Sequence, residues 1–249
     1  MPDNKRHMVL SIAGFDPCGG AGVLADIQTT QQCKVQGMAV VSALTSQNED
    51  QVFRVTWQDF KSISNQLESL LDRYSFEVAK IGIIENLETL ESVIDLLMHH
   101  SNEIKIIWDP ILKSSSGFDF LEDLRPDQLN SVLKELFLIT PNLPEYERLK
   151  TALGNQKIET NILLKGGHAD GNDTSDLLIE QGGNEEIISG QRIKGEGKHG
   201  TGCVLSSAIA SGLNKGMKLK TACTFGKRYV EGYLKSGYSK LGAHYEIQI

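Results

Sequence analysis

The hexapeptide Lys198-His199-Gly200-Thr201-Gly202-Cys203 stands at the start of an apolar helical stretch. Two glycines and a small polar residue leave backbone N–H groups open at the positive end of that helix, a geometry that holds anions. A thiol placed there is expected to ionise more readily than a free cysteine. Read alone, the motif fits an inert thiol better than a catalytic one, since most cysteines that start a helix are inert. Other chemically capable residues sit at other turns. Asp109 precedes Pro110, and Glu145 closes Pro141-Asn142-Leu143-Pro144-Glu145. Two carboxylates on neighbouring strand ends suit a hydrated magnesium ion. For Glu145 the competing role is a helix-start carboxylate favoured by the dipole. Lys165, in Lys165-Gly166-Gly167-His168, is either a phosphate partner or a solvated loop lysine. The turn Gly19-Gly20-Ala21-Gly22 either packs a strand closely on a helix or forms a backbone wall beside a flat ligand.

The elements that must carry these residues are legible as short apolar runs between amphipathic stretches. Strands are predicted at Met8–Ala13, Met38–Leu44, Val52–Val55, Val78–Ile81, Ile104–Trp108, Leu136–Thr140 and Asn161–Leu164. Helical spacing marks Gly22–Cys33, Trp57–Arg73, Leu87–Met98, Pro126–Leu136 and Leu143–Leu153, the last stopping at Gly154. Leu177–Glu180 and Glu186–Ser189 flank Gly182-Gly183 as a hairpin, and Gly202–Leu213 and Leu219–Lys235 close the chain as helices. Strand alternating with helix predicts an α/β fold with a mostly parallel sheet covered on both faces. Ligands in such sheets bind beyond the strand C-termini, which is where the residues above fall.

Composition narrows the function classes. The chain has 249 residues with 40% hydrophobic and 23% charged content, enough for one large α/β domain spanning 1–249. The net charge of −7 and the lack of a Lys/Arg run argue against nucleic-acid or anionic membrane partners. Its four cysteines contain no Cys-x-x-Cys pair, so a zinc ribbon or disulfide framework is not indicated. Without a signal-peptide pattern or a membrane-length apolar run, the expected compartment is the cytoplasm. There is no G-x-x-x-x-G-K-[ST] sequence, and the Gly19–Gly22 turn lacks G-x-G-x-x-G spacing, so neither common nucleotide fingerprint applies.

Seven segments nevertheless occur in one order: SIAGFDPCGGAGVLADIQT, SALTSQN, KIGI, DPIL, ITPNLPE, LLKGGH and KHGTGC. Together they resemble the hydroxymethylpyrimidine/phosphomethylpyrimidine kinases of thiamine biosynthesis, in the ribokinase superfamily. The resemblance implies a three-layer α/β/α ribokinase-like fold, use of ATP and Mg²⁺, and a homodimer. It implies phosphorylation of 4-amino-5-hydroxymethyl-2-methylpyrimidine and then of its monophosphate. Matched residue by residue, Cys203 corresponds to the catalytic base, and Gly200, Thr201 and Gly202 to the anion hole. Gln47 corresponds to the residue that hydrogen-bonds the pyrimidine edge. Ala21 and Ile111 present backbone to the substrate, and Asp26 is an acid near it. Asp109 and Glu145, with Asn142, match the magnesium and phosphate region, and Lys165 matches the lysine near the ATP phosphates.

Three positions depart from the family pattern. Only about twenty residues separate Glu145 from Lys165, where relatives place an additional helix. Lys198 stands where threonine is common, and Ile83 stands in the substrate pocket where methionine is frequent. The neighbouring possibility is a pyridoxal kinase of the same branch. Gln47 favours the pyrimidine, because an amide both donates to and accepts from an aminopyrimidine edge. A third possibility is a vitamin-precursor binding protein without turnover; Cys203, Asp109 and Glu145 speak against it.

Overall fold

The computed structural model describes residues 7–114, 117–121, 123–166, 174–193, 197–237 and 239–244. The first half contains β1 (Met8–Phe15), α1 (Gly22–Gln32), β2 (Gln36–Gln47), β3 (Val52–Trp57), α2 (Phe60–Leu71), β4 (Val78–Ile81), α3 (Leu87–His100) and β5 (Lys105–Trp108). The second half adds α4 (Pro126–Glu135), β6 (Leu138–Ile139), α5 (Leu143–Leu153), β7 (Asn161–Leu164), β8 (Asp176–Ile179), β9 (Glu185–Ile188), α6 (Thr201–Asn214) and α7 (Leu219–Lys235). The strands form one nine-stranded sheet in the order β3-β2-β1-β4-β5-β6-β7-β8-β9. From β2 through β7 all neighbours are parallel. β3 pairs antiparallel at one edge, and β8 and β9 do so at the other.

The period-two alternation of each strand divides its side chains between two cores. Leu10, Ile12, Ala79, Ile81 and Ile106 pack with α2–α5 residues such as Ile63, Leu90, Leu129 and Leu149. Val9, Val78 and Ile107 face the other way, onto Ala25 of α1, Val204 and Ala208 of α6, and Cys223 and Tyr229 of α7. This is the three-layer α/β/α arrangement. Each fully buried leucine or isoleucine contributes about 1.5–3 kcal/mol, so the two cores hold the strand ends in fixed register. Among the described residues no helix is long and apolar enough to cross a membrane.

Several boundaries shift by one or two residues, the strand expected at Leu136–Thr140 narrows to Leu138–Ile139, and two further differences change the elements around the site. β3 runs on to Trp57, which pairs with Ala43. The helix spacing through Trp57 therefore overshoots: α2 begins at Phe60, where Asp59 caps it by accepting from the Ser62 N–H at 2.7 Å. β2 likewise runs beyond Leu44 to Gln47, which puts Gln47 at a strand terminus. In the shortened stretch between Glu145 and Lys165, α5 alone bridges β6 and β7, and the parallel crossover is intact.

Candidate active site

The C-terminal ends of β1, β4, β5, β6 and β7 open onto one cavity of about 600 Å³. Near one end it is lined by Gly14, Ala21, Gln47, Ile83, Ile111 and Phe120. Asp109, Asn142, Glu145, Lys165 and Gly200–Cys203 line its middle. Beyond them lie Thr174, Asp176, Ile193, Lys227 and Leu234. All the site residues expected from sequence therefore border this cavity except Asp26.

The middle is built by strand ends. Asp109 follows β5 and is fully buried. Its Oδ1 accepts from Thr140 Oγ1 at 2.9 Å and from Lys165 Nζ at 3.0 Å. Its Oδ2 is buried with no hydrogen-bond partner among the described residues. A Cβ placed on Gly202 would sit 3.2 Å from that oxygen and 3.6 Å from Lys165 Nζ, so glycine keeps the first turn of α6 open beside both groups. Gly200, at φ +75°, starts α6 without a side-chain cap, and any Cβ there would strike the Gly20 carbonyl at 1.8 Å. The first amides of α6 thus face the cavity with their dipole unopposed by a capping side chain.

Glu145 does two things. Its backbone N–H donates to Asn142 Oδ1 at 2.9 Å, and its Oε2 accepts from the Asn142 N–H at 2.8 Å, a reciprocal cap on α5. Its Oε2 also lies 3.8 Å from Lys165 Nζ. Burial pushes the Glu145 carboxyl up to about 7 against the pull of Lys165, with Asp109 adding to the rise. Burial would lower the Lys165 ammonium, but Asp109 and then Glu145 outweigh it and hold it above the ordinary lysine value. Asn142, expected near ATP, spends its side chain on the cap.

Cys203 is buried on the first turn of α6. The expectation that the helix end makes this thiol acidic is not met. Burial pushes it up to about 11; Lys80 pulls it down, while Asp26 and Asp109 push it further up. Desolvation disfavours the charged thiolate at this depth. Cys33 stands at about 11 for the same reason, so Cys203 is not set apart by acidity.

Asp26 lies outside the cavity wall. It is fully buried under α1, where Oδ1 accepts from Lys80 Nζ at 3.0 Å and Ser207 Oγ at 2.7 Å. Its Oδ2 accepts from Lys80 Nζ at 2.8 Å and Ser11 Oγ at 2.5 Å. The acid is thereby consumed in tying β1, β4 and α6 together one helical turn below Cys203. Lys80 was missed from sequence, although a lysine inside the apolar run Val78–Ile81 is a visible anomaly. Lys227 was missed with less signal. From mid-α7 its Nζ reaches Asp176 Oδ1 at 2.8 Å and the Thr174 carbonyl at 2.5 Å. Gly167 and His168 lie outside the described residues.

A family model described as phosphomethylpyrimidine kinase matches residues 16–247. The chain belongs to the phosphomethylpyrimidine kinase family. It is therefore a phosphotransferase. A hydroxymethylpyrimidine/phosphomethylpyrimidine kinase of Aquifex aeolicus is 34% identical, covering 96% of this chain and 98% of the relative. The crystal structure of a phosphomethylpyrimidine kinase from Clostridium difficile 630 superposes with a TM-score of 0.72 at 29% identity, over 90% of this chain and 97% of that one. A Bacillus subtilis pyridoxal kinase solved as an ADP complex reaches a TM-score of 0.79 at 23% identity, covering 94% of this chain and 93% of that one. At that identity the second likeness speaks for the ribokinase-like fold alone.

Proposed function

We propose that this kinase transfers the γ-phosphoryl group of ATP to the hydroxymethyl oxygen of 4-amino-5-hydroxymethyl-2-methylpyrimidine, and then phosphorylates the resulting monophosphate, as a step of thiamine biosynthesis. The observation that carries the reading is Asp109 Oδ2, a buried oxygen without a donor, set between Lys165 and the open first turn of α6. Burying such an oxygen unpaired costs about 1–3 kcal/mol or more. A hard cation with oxygen ligands would satisfy it, and the second carboxylate, Glu145, lies 3.8 Å from the same Lys165 Nζ. Two carboxylates with room for phosphate oxygens fit magnesium, and Asp109 and Glu145 are the residues that would hold it. When bound, magnesium neutralises charge on the transferring group.

The chain's own groups divide the remaining work. Gln47 orients the aminopyrimidine edge at the β2 terminus, with Ile83 and the backbone of Ala21 and Ile111 around the ring. The amides of Gly200, Thr201, Gly202 and Cys203 receive the γ-phosphate oxygens, and Lys165 adds its charge. Cys203 Sγ takes the hydroxyl proton as the substrate oxygen bonds to phosphorus and the bond to ADP breaks. Fully buried Lys80 and part-buried Lys165 pull toward the thiolate needed for that role, against the burial that raises the thiol. Thr174, Asp176, Ile193 and Lys227 form the nucleotide end of the same cavity.

The whole chain works as one kinase domain in the cytoplasm, and as a homodimer paired through the β3 edge. Phe53 and Leu44, 60% and 49% exposed on β3 and β2, support that pairing. The test of substrate is ADP release with the pyrimidine alcohol, its monophosphate and pyridoxal compared in one assay with Mg²⁺. Turnover of both pyrimidines well above pyridoxal is expected. Turnover of pyridoxal alone would overturn the substrate assignment.

A further inference from the structure

A second constellation lies beside the active site and takes no part in the reaction above. It joins the glycine turn after β1 to the loop before α6, segments 183 positions apart. Asp16 Oδ2 lies 2.9 Å from His199 Nε2 and 3.2 Å from Cys18 Sγ. The carboxylate, thiol and imidazole ligand atoms all fall within 4.8 Å of one another. Among the described residues no other cluster brings three such groups together. We propose that Asp16, Cys18 and His199 form a binding site for a thiophilic divalent cation of the zinc type.

The donor set is the first reason. One thiolate, one imidazole and one carboxylate are a zinc-like mixture, whereas the oxygen set at Asp109 and Glu145 suits a hard cation. Dimensions are the second. Zinc bonds of about 2.0–2.3 Å in a tetrahedron place ligand atoms roughly 3.3–3.7 Å apart. The carboxylate–imidazole and carboxylate–thiol separations of 2.9 and 3.2 Å fall just short of that range and the thiol–imidazole one lies within 4.8 Å, so closure requires side-chain adjustment but no movement of the backbone. Outer contacts are the third. Asp16 Oδ1 accepts from the Cys18 N–H at 3.0 Å, and Oδ2 accepts from the Ala21 N–H at 2.8 Å, which fixes the carboxylate. The His199 N–H donates to the Lys240 carbonyl at 2.9 Å, and its own carbonyl accepts from Tyr233 at 3.1 Å. A Cβ on Gly20 would come within 2.5 Å of the imidazole, so glycine lets the ring lie flat on the turn. Ligands held this way bind metal more tightly than free side chains.

Binding breaks the Cys18 S–H bond, forms a sulfur–metal bond and passes the thiol proton to the buffer. His199 offers Nε2 with its proton carried on Nδ1. Solvent completes the coordination, since Cys18 and His199 are only part-buried.

The probe is zinc itself, titrated calorimetrically into the metal-free full chain, with cobalt(II) as the spectroscopic substitute. The wild type is expected to bind one zinc ion per chain, with a thiolate-to-cobalt charge-transfer band and a higher Tm in the zinc form. Cys18→Ser keeps a hydroxyl donor to Asp16, so its turnover with Mg²⁺ and ATP is expected to match wild type. Its zinc affinity is expected to fall at least tenfold and the charge-transfer band to vanish. Absence of stoichiometric binding by the wild type would overturn the proposal. So would undiminished binding and an undiminished cobalt band in Cys18→Ser, which would place the ion on another thiol such as Cys203.

Discussion

Two lysine–carboxylate pairs, Asp26–Lys80 wholly buried and Asp109–Lys165 with a buried acid and a part-buried lysine, are finished differently. In Asp26–Lys80 both carboxylate oxygens are saturated, by the lysine and by Ser11 and Ser207. In Asp109–Lys165 one oxygen receives Thr140 and the lysine, and the other receives no donor among the described residues. Both pairs carry the desolvation penalty of burial. Only the first recovers it within the protein. A saturated pair has no coordination left for a ligand and acts as a joint between elements. A half-satisfied pair at a strand end is poised for one. Cys203 lies on the helix that runs between them and is coupled to both lysines.

The largest effect is expected at that shared residue. Cys203→Ala should lower kcat by about 10²–10⁴, the range for losing a general base, while ATP binding persists because the α6 amides remain. Single-turnover phosphorylation by this variant measures it, and a rate within about threefold of wild type would make Cys203 a packing residue. Asp26→Asn attacks the saturated pair. It leaves Lys80 buried against a neutral amide and should cost about 3–5 kcal/mol in denaturant unfolding. Adding Lys80→Met should recover part of that loss, since it removes the unpaired buried charge while Ser11 and Ser207 can still pair with the amide. Failure of the double variant to recover would show that the pair does more than join β1, β4 and α6.

At the substrate end, Gln47→Ala should raise KM for the pyrimidine and reduce kcat/KM by about 1–3 kcal/mol, with KM for ATP unchanged. Smallest is a reactivity profile. With its thiol at about 11, Cys203 should be alkylated ever faster as pH rises from 7 to 9, without a plateau. Ionisation only begins to saturate near that value, so a plateau at neutral pH would restore the acidic thiol that the helix end alone suggests.

Much of the scaffold was legible in the sequence because parallel strands buried on both faces are short, uninterrupted apolar runs. Val78–Ile81 and Asn161–Leu164 have the same bounds in the structure. The edge was harder. Trp57 fits helical spacing as well as strand pairing, and only its antiparallel partner Ala43 decides between them. Within the site, glycine motifs located Gly200–Cys203 and Lys165 and proline turns located Asp109 and Glu145, since strand-end turns concentrate ligand contacts. Asp26 and the acidity of Cys203 were misplaced for one reason. Both depend on burial, which neighbours distant in sequence determine: Lys80 for the acid, the packed core around α6 for the thiol.

The comparison stands or falls on Asp109→Asn. The substitution keeps the side chain's size and its contact with Thr140 but removes the charge that faces the open oxygen. The measurement is single-turnover phosphoryl transfer from Mg²⁺-ATP to the pyrimidine alcohol, with Tm recorded on the same sample. The predicted result is a loss of about 10²–10³ in rate, with a smaller fall in Tm than Asp26→Asn produces, because Glu145 still faces Lys165 at 3.8 Å. A variant that transfers phosphate at the wild-type rate would contradict the assignment of Asp109 as the open half of the pair.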